Sequence, residues 1–262
     1  ALRNQNPKDI FINGTDVTPK TQQKAIEIFN STLKSEGVVG EDMVAYSFRE
    51  SYLDKTPKGL ANSEGKMKME STSYVRLISV EEYNRMEQKN IQLKDNEALV
   101  YSTNVQYEKN QKIFKDLDIK VIKQVDHMNV ERLYYSSYMD VSFIIVKEAY
   151  ITDLVKLYDK DHQQKGYSMY IGANAAIKSE KQMKLSDQIY SNIEKTEGLE
   201  YESLFYGCIA SDKDEFLSVY GGLFFLGIFL GTLFTMAMIL IIYYKQISEG
   251  YDDKRRFEIM QK

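Results

Sequence analysis

FLSVYGGLFFLGIFLGTLFTMAMILIIYY, from Phe216 to Tyr244, is 29 residues without a single charged side chain. At about 1.5 Å of rise per residue such a helix exceeds the roughly 30 Å hydrocarbon core of a bilayer. A helix on the surface of a soluble protein would carry a polar stripe along this length, and none is present. Tyr220 at one end and Tyr243 and Tyr244 at the other suit the two water–lipid interfaces, and Lys245 closes the run. The stretch is therefore read as a transmembrane helix. Gly227 and Gly231 are spaced as a small-xxx-small face that would let another helix approach closely.

The flanks suggest an orientation. Lys245, Lys254, Arg255, Arg256 and Lys262 follow the span, whereas Ser211-Asp-Lys-Asp-Glu-Phe216 before it is mainly acidic. Retention of positive charge on the cytoplasmic side puts residues 245–262 inside and residues 1–215 outside. The chain has 34 basic and 38 acidic residues; removing the tail's five basic and four acidic ones leaves 29 against 34, or −5, for residues 1–244. An acidic ectodomain argues against nucleic-acid binding, which needs a concentrated basic face. Cys208 is the only cysteine, so no disulfide can form within the chain and packing must stabilise the exported part. No basic-then-apolar leader precedes it, and the expectation is a removed signal or a further span upstream of Ala1.

Residues 1–17 are polar, with Pro7 and Gly14, and read as a linker. Thr18-Pro19 opens a helix carrying Ala25, Ile26, Phe29 and Leu33 at helical spacing, and Gly37 stops it. Val44, Tyr46 and Phe48 then alternate as a strand, and Leu53 to Lys66, with Pro57, Gly59 and Gly65, reads as a loop or hairpin. Strands are expected at 74–78, 97–101, 119–122, 141–146, 167–173 and 201–210. A Tyr-rich stretch lies at Tyr134, Tyr135 and Tyr138. Ser79 and Glu82 form a capping-box pattern for a short helix. Further helices are expected over Ile151, Leu154, Val155 and Tyr158, and over 179–195 with Met183, Ile189 and Ile193 inward and Gly198 as terminator. Ser211 is read as the cap of the last helix, with Asp212, Asp214 and Glu215 in its first turn. The fold class expected is an α+β extracellular domain of mixed sheet and helices (1–215), one transmembrane α-helix (216–244) and a short cytoplasmic amphipathic helix (245–262).

Chemistry-bearing motifs are sparse. His127 and His162 have no second histidine or cysteine at metal-ligand spacing, and Asp159, Asp161 and His162 read as solvated charges. No phosphate-cradling glycine loop and no Gly-x-Ser-x-Gly elbow occurs. No catalytic, metal or cofactor-binding residue is assigned, no cofactor is implied, and no ligand-binding residue is identified. The chain is not read as an enzyme.

The join between span and tail, ILIIYYKQISEGYDDKRRFEIMQK, resembles the permease subunits of the FtsX/MacB superfamily of ABC transporters. More narrowly, it is similar to the BceB-like permeases that act with antimicrobial peptides such as bacitracin. The resemblance covers YYKQISEGY through Tyr251 and RFEIMQK from Arg256 to Lys262. It extends less specifically to SYVRLISVEEYNRMEQKNIQLKDNEALVYS in the ectodomain. It implies a multi-pass cell-membrane permease, a separate ATPase subunit inside, and a partner sensor histidine kinase. It further implies that the ligand is a peptide antibiotic or a lipid-linked cell-wall intermediate. Arg255, Arg256, Phe257, Glu258, Ile259 and Met260 would then form an ATPase-coupling segment. Alternatives are an FtsX-like regulator of an extracellular cell-wall hydrolase and a single-span receptor or adhesin.

Overall fold

The computed structural model describes residues 8–62, 70–102, 104–130, 139–158 and 166–260, with the backbone alone described at 212–216 and 258. Tyr134, Tyr135, Tyr138, Asp159, Asp161, His162 and Gly65 lie outside the described residues. In chain order the first elements are β1 (Ile10–Val17), α1 (Pro19–Ser35), β2 (Glu41–Thr56), β3 (Gly59–Asn62), β4 (Thr72–Ser79), α2 (Val80–Glu87) and β5 (Glu97–Ser102). There follow β6 (Lys120–Gln124), β7 (Asp140–Val146), α3 (Glu148–Tyr158), β8 (Tyr167–Asn174), α4 (Ser179–Glu194), β9 (Ser203–Cys208) and α5 (Ile209–Met260). The chain divides into two compact units, Ala1–Asp212 and Lys213–Lys262.

The first unit is an α+β domain built on one mixed sheet in the order β6-β5-β7-β4-β2-β8-β1-β9, with β3 paired to β2. Among these strand pairs only β4–β7 and β5–β6 are parallel; the other neighbours run antiparallel. Every residue of β4 is buried, so its alternating side chains serve two cores. Val75 and Leu77 join Val100, Ile144 and Val146 under Ile151, Leu154 and Tyr158 of α3. Tyr74 and Ile78 face the opposite way, with Val44, Tyr46, Phe48, Phe143, Ile145 and Tyr83 of α2. A third core unites Ile10 and Ile12 of β1, Met169 and Ile171 of β8, Phe29 and Leu33 of α1, and Ile189 and Ile193 of α4. Fully burying a side chain of this size contributes about 1.5–3 kcal/mol, which makes the three cores the main source of cohesion.

Local chemistry sets the helix ends. Thr18 Oγ1 accepts from the Thr21 N–H at 3.2 Å, with Pro19 in the first turn. Gly37 ends α1 at φ +64, where Val38 N–H returns to Leu33 O at 2.9 Å. At α2 only half of the expected capping box forms: Ser79 Oγ accepts from Glu82 N–H at 3.1 Å. Glu82 does not reach back; its carboxylate accepts from Ser47 N–H of β2 at 2.7 Å and from Arg85. A neighbouring strand donor outcompetes the local one.

Two expectations are corrected. Residues 10–17 are not linker but β1, held between β8 and β9, because Ile10 and Ile12 alternate into the third core. The hairpin expected within 53–66 is present, β2 continuing to Thr56 and turning at Pro57-Lys58 into β3, and needs no correction. Ser211 is not a cap: α5 begins at Ile209, directly after the last residue of β9. The tail is helical, yet no break separates it from the apolar run, and α5 is one helix of 52 residues. Lys245 and Glu249, 3.8 Å apart one turn on, support that continuity.

Candidate functional site

α5 carries every residue singled out for coupling and helix packing. One helix among the described residues is long and apolar enough to cross a membrane, and it is this one. Its large apolar side chains from Leu217 to Tyr244 are exposed, an expanse that a water-facing surface does not sustain. Its two threonine hydroxyls are satisfied within the helix: Thr232 Oγ1 donates to Phe229 O at 2.7 Å and Thr235 Oγ1 to Gly231 O at 2.8 Å. That is the requirement placed on polar groups in hydrocarbon. Gly227 and Gly231 stack one turn apart, and an added Cβ on either would meet nothing within 4 Å. The notch is present and open.

Arg255, Arg256, Phe257, Ile259 and Met260 all lie in the last turns of α5 and are exposed. Helical spacing puts Phe257 and Met260 on one edge and Arg256 and Ile259 on the next. An apolar edge beside a basic one suits contact with either a protein or an anionic lipid surface. Glu258 belongs to the same turns by its backbone.

In the first unit two clefts of about 390 Å³ are present. One lies where α1, α2 and α3 begin and is lined by Thr18, Gln22, Ser47, Glu82, Glu148 and Tyr167. Its carboxylates are engaged: Glu82 by Arg85, Ser47 N–H and Gln22, and Glu148 by the Tyr167 hydroxyl. Burial, reinforced by Glu148, pushes the Tyr167 phenol above the ordinary tyrosine range. The other cleft, lined by Asp54, Thr56, Asn62, Lys115 and Asp116, is the more polar of the two. Asn62 Nδ2 there donates to Leu157 O at 2.8 Å, and Asp54 accepts from the Thr72 hydroxyl at 2.9 Å. Both clefts offer hydrogen bonds to a polar ligand rather than an activated nucleophile. Among the described residues no three His, Cys, Asp or Glu side chains gather as a metal-binding group.

Sequence reasoning missed a buried cation of this domain, in the middle of the sheet. Arg76 is 6% exposed, in the middle of β4. Its Nη1 donates to Tyr46 Oη at 2.8 Å and its Nε to Tyr74 Oη at 3.2 Å, with Glu50 3.9 Å away. The guanidinium lies 3.8 Å from the centroid of the Phe48 ring. Tyr74 also donates to Glu50. The usable signal is the alternation itself: Arg76 falls between Tyr74 and Ile78 on a core-facing register, where a charge must be paired.

Compared with models of known protein families and with curated protein sequences, the chain matches none.

Proposed function

We propose that this chain is part of the permease subunit of a bacterial ABC transporter of the BceB-like kind. In this reading the α+β domain faces outward and meets a peptide antibiotic or a lipid-linked cell-wall intermediate at the outer leaflet. A separate ATPase subunit supplies energy from the cytoplasm, and a sensor histidine kinase is the signalling partner. The observation that carries the reading is the sequence of the tail, Tyr243-Tyr244-Lys245 through Tyr251 and Arg256 through Lys262. The apolar length of α5 and the basic residues after it support membrane insertion with the tail inside.

The pairing of β1 with β9 adds support. Ile10 lies opposite Cys208, and Ile209 N–H donates to Asp9 O at 3.1 Å, so the chain enters and leaves the domain at one place. That arrangement suits a domain inserted between two membrane helices.

The test is made in the full-length permease. Arg256→Glu and Phe257→Ala are expected to reduce co-purification of the ATPase and peptide-stimulated ATP hydrolysis, without loss of membrane insertion. Reversing a charge at a desolvated protein contact costs several kcal/mol, whereas at a lipid surface it costs about 1–2 kcal/mol of attraction. Full retention of the ATPase and of stimulation in both variants would overturn the coupling assignment.

A further inference from the structure

The sheet path ends in two strands, β6 and β9, and the short β3 is a third edge whose Leu60 bonds Ile113 and Lys115; the two path ends are finished differently. At the β6 edge, residues 110–113 cover the outer side: Asn110 N–H donates to Val121 O at 2.7 Å, Val121 N–H to Gln111 O at 3.0 Å, and Ile113 N–H to Ile119 O at 3.0 Å. Lys120 and Lys123 add charge to that edge. Both are recognised ways of preventing a sheet from recruiting another strand. At the β9 edge neither device is present among the described residues. No described strand pairs with the outer side of β9. Its sequence, Ser-Leu-Phe-Tyr-Gly-Cys, has no charge and no proline.

The free side has a definite register. Ile209 N–H bonds to Asp9 O, so in an antiparallel pair the backbone groups of Leu204 and Tyr206 point away from β1. Phe205 is 60% and Tyr206 42% exposed, giving the edge an aromatic surface on each face of the sheet. Acidic groups surround it. Asp187 hydrogen-bonds the Tyr206 hydroxyl and, with nearby Glu194, raises its pKa. Exposed Glu200 and Glu202 precede the strand. A second copy pairing here in parallel would set Glu200 and Glu202 against their own counterparts. An extended segment bearing positive charge would meet the carboxylates of Glu200, Glu202 and Asp187.

We propose that β9 is a docking edge for an extended cationic polypeptide segment, which joins the sheet as a further strand. The main-chain bonds come from Leu204 and Tyr206, the side-chain contact from Phe205 and Tyr206, and the preference for cations from the flanking carboxylates. This edge is independent of the transporter reading, and its test stands or falls separately.

The experiment uses the whole chain in zwitterionic nanodiscs. The probes are two dye-labelled peptides of about eight residues, one alternating lysine with valine and the other glutamate with valine. The lysine peptide is expected to bind in a salt-sensitive way, with carbon-13-labelled carbonyls showing the infrared signature of a paired strand, and the glutamate peptide to bind at least about tenfold more weakly. Glu200→Lys combined with Glu202→Lys leaves β9 intact and is expected to abolish the preference for the lysine peptide. Tyr206→Pro removes an outward N–H together with the ring and its bond to Asp187, and is expected to abolish binding of both peptides while the chain stays folded. If that variant melts early, the charge-reversed pair decides. Equal binding of the two peptides, binding without a strand signature, or binding indifferent to charge reversal would overturn the proposal. So would self-association of the chain through this edge.

Discussion

Arg76 concentrates the energetics of one core at one residue. A guanidinium buried to 6% exposure is tolerated because two tyrosine hydroxyls, a carboxylate and an aromatic face surround it. Removing the guanidinium takes a donor from two core hydroxyls, at about 1–3 kcal/mol for each buried polar group left short of a bond, and takes the cation from Glu50. Arg76→Ala should therefore lower the thermal midpoint of the chain far more than a surface substitution such as Lys24→Ala. Comparable midpoints for the two would refute this assignment. Tyr74, in the same cluster, is kept un-ionised well above the usual tyrosine range, first by burial and also by Glu50, against the opposing pull of Arg76. As pH rises past about 10 the unfolded chain gives up the phenolic proton while the folded chain keeps it, so the unfolded state binds fewer protons and stability falls. Below that pH the contribution is constant. Tyr74→Phe removes this titration, and its stability should decline less steeply with alkaline pH than that of the natural chain. Identical alkaline slopes would assign the decline to other tyrosines.

Among the elements, two glycines with the same backbone sign separate strain from space. Gly37 at φ +64 closes α1 with nothing within 4 Å of an added Cβ, whereas Gly59 at φ +113 opens β3 with Ile113 O only 2.7 Å from where a Cβ would sit. Gly37→Ala should cost about 1–2 kcal/mol for the left-handed conformation alone. Gly59→Ala adds a clash with backbone that cannot rotate aside, and should cost distinctly more by denaturant titration. Equal losses would show that the 110–113 segment yields easily. The same two residues mark what sequence can reveal. Gly37 is legible as a helix stop, since the pattern Ala25, Phe29, Leu33 ends just before it. Gly59 reads only as a loop residue, because its neighbour Ile113 is distant in the chain. The strands β4, β7 and β8 are legible from short runs of apolar and β-branched residues. β1 is not, because Asn13, Gly14 and Asp16 mask the alternation of Ile10 and Ile12. Arg76 is invisible as a site for a related reason: its partners Tyr46 and Glu50 come from another strand.

For the molecule as a whole, the three cores all lie in the unit ending at Asp212, and the exposed apolar expanse lies in the unit after it. A chain ending at Ala210 should be a soluble monomer with mixed helix and strand content, whereas the whole chain should require detergent or lipid. Circular dichroism and gel filtration distinguish the outcomes, and an aggregated or disordered fragment would mean that α5 is needed for folding. The tail motif of α5 is the most specific signal in the sequence. Its continuity with the apolar run is not legible there, because Gly250 and the change to charged residues suggest a boundary.

The pairing of Ile10 with Cys208 has a mechanical consequence. Tension applied between residue 8 and residue 209 acts on β1 and β9 at the end where both leave the domain. The rungs between them would be loaded one after another, as in opening a zip, and not all together as in shear. The domain should thus yield to a small pulling force while resisting heat or denaturant through its three cores. Movement of whatever flanks it would be felt first at Asp9 and Ile209.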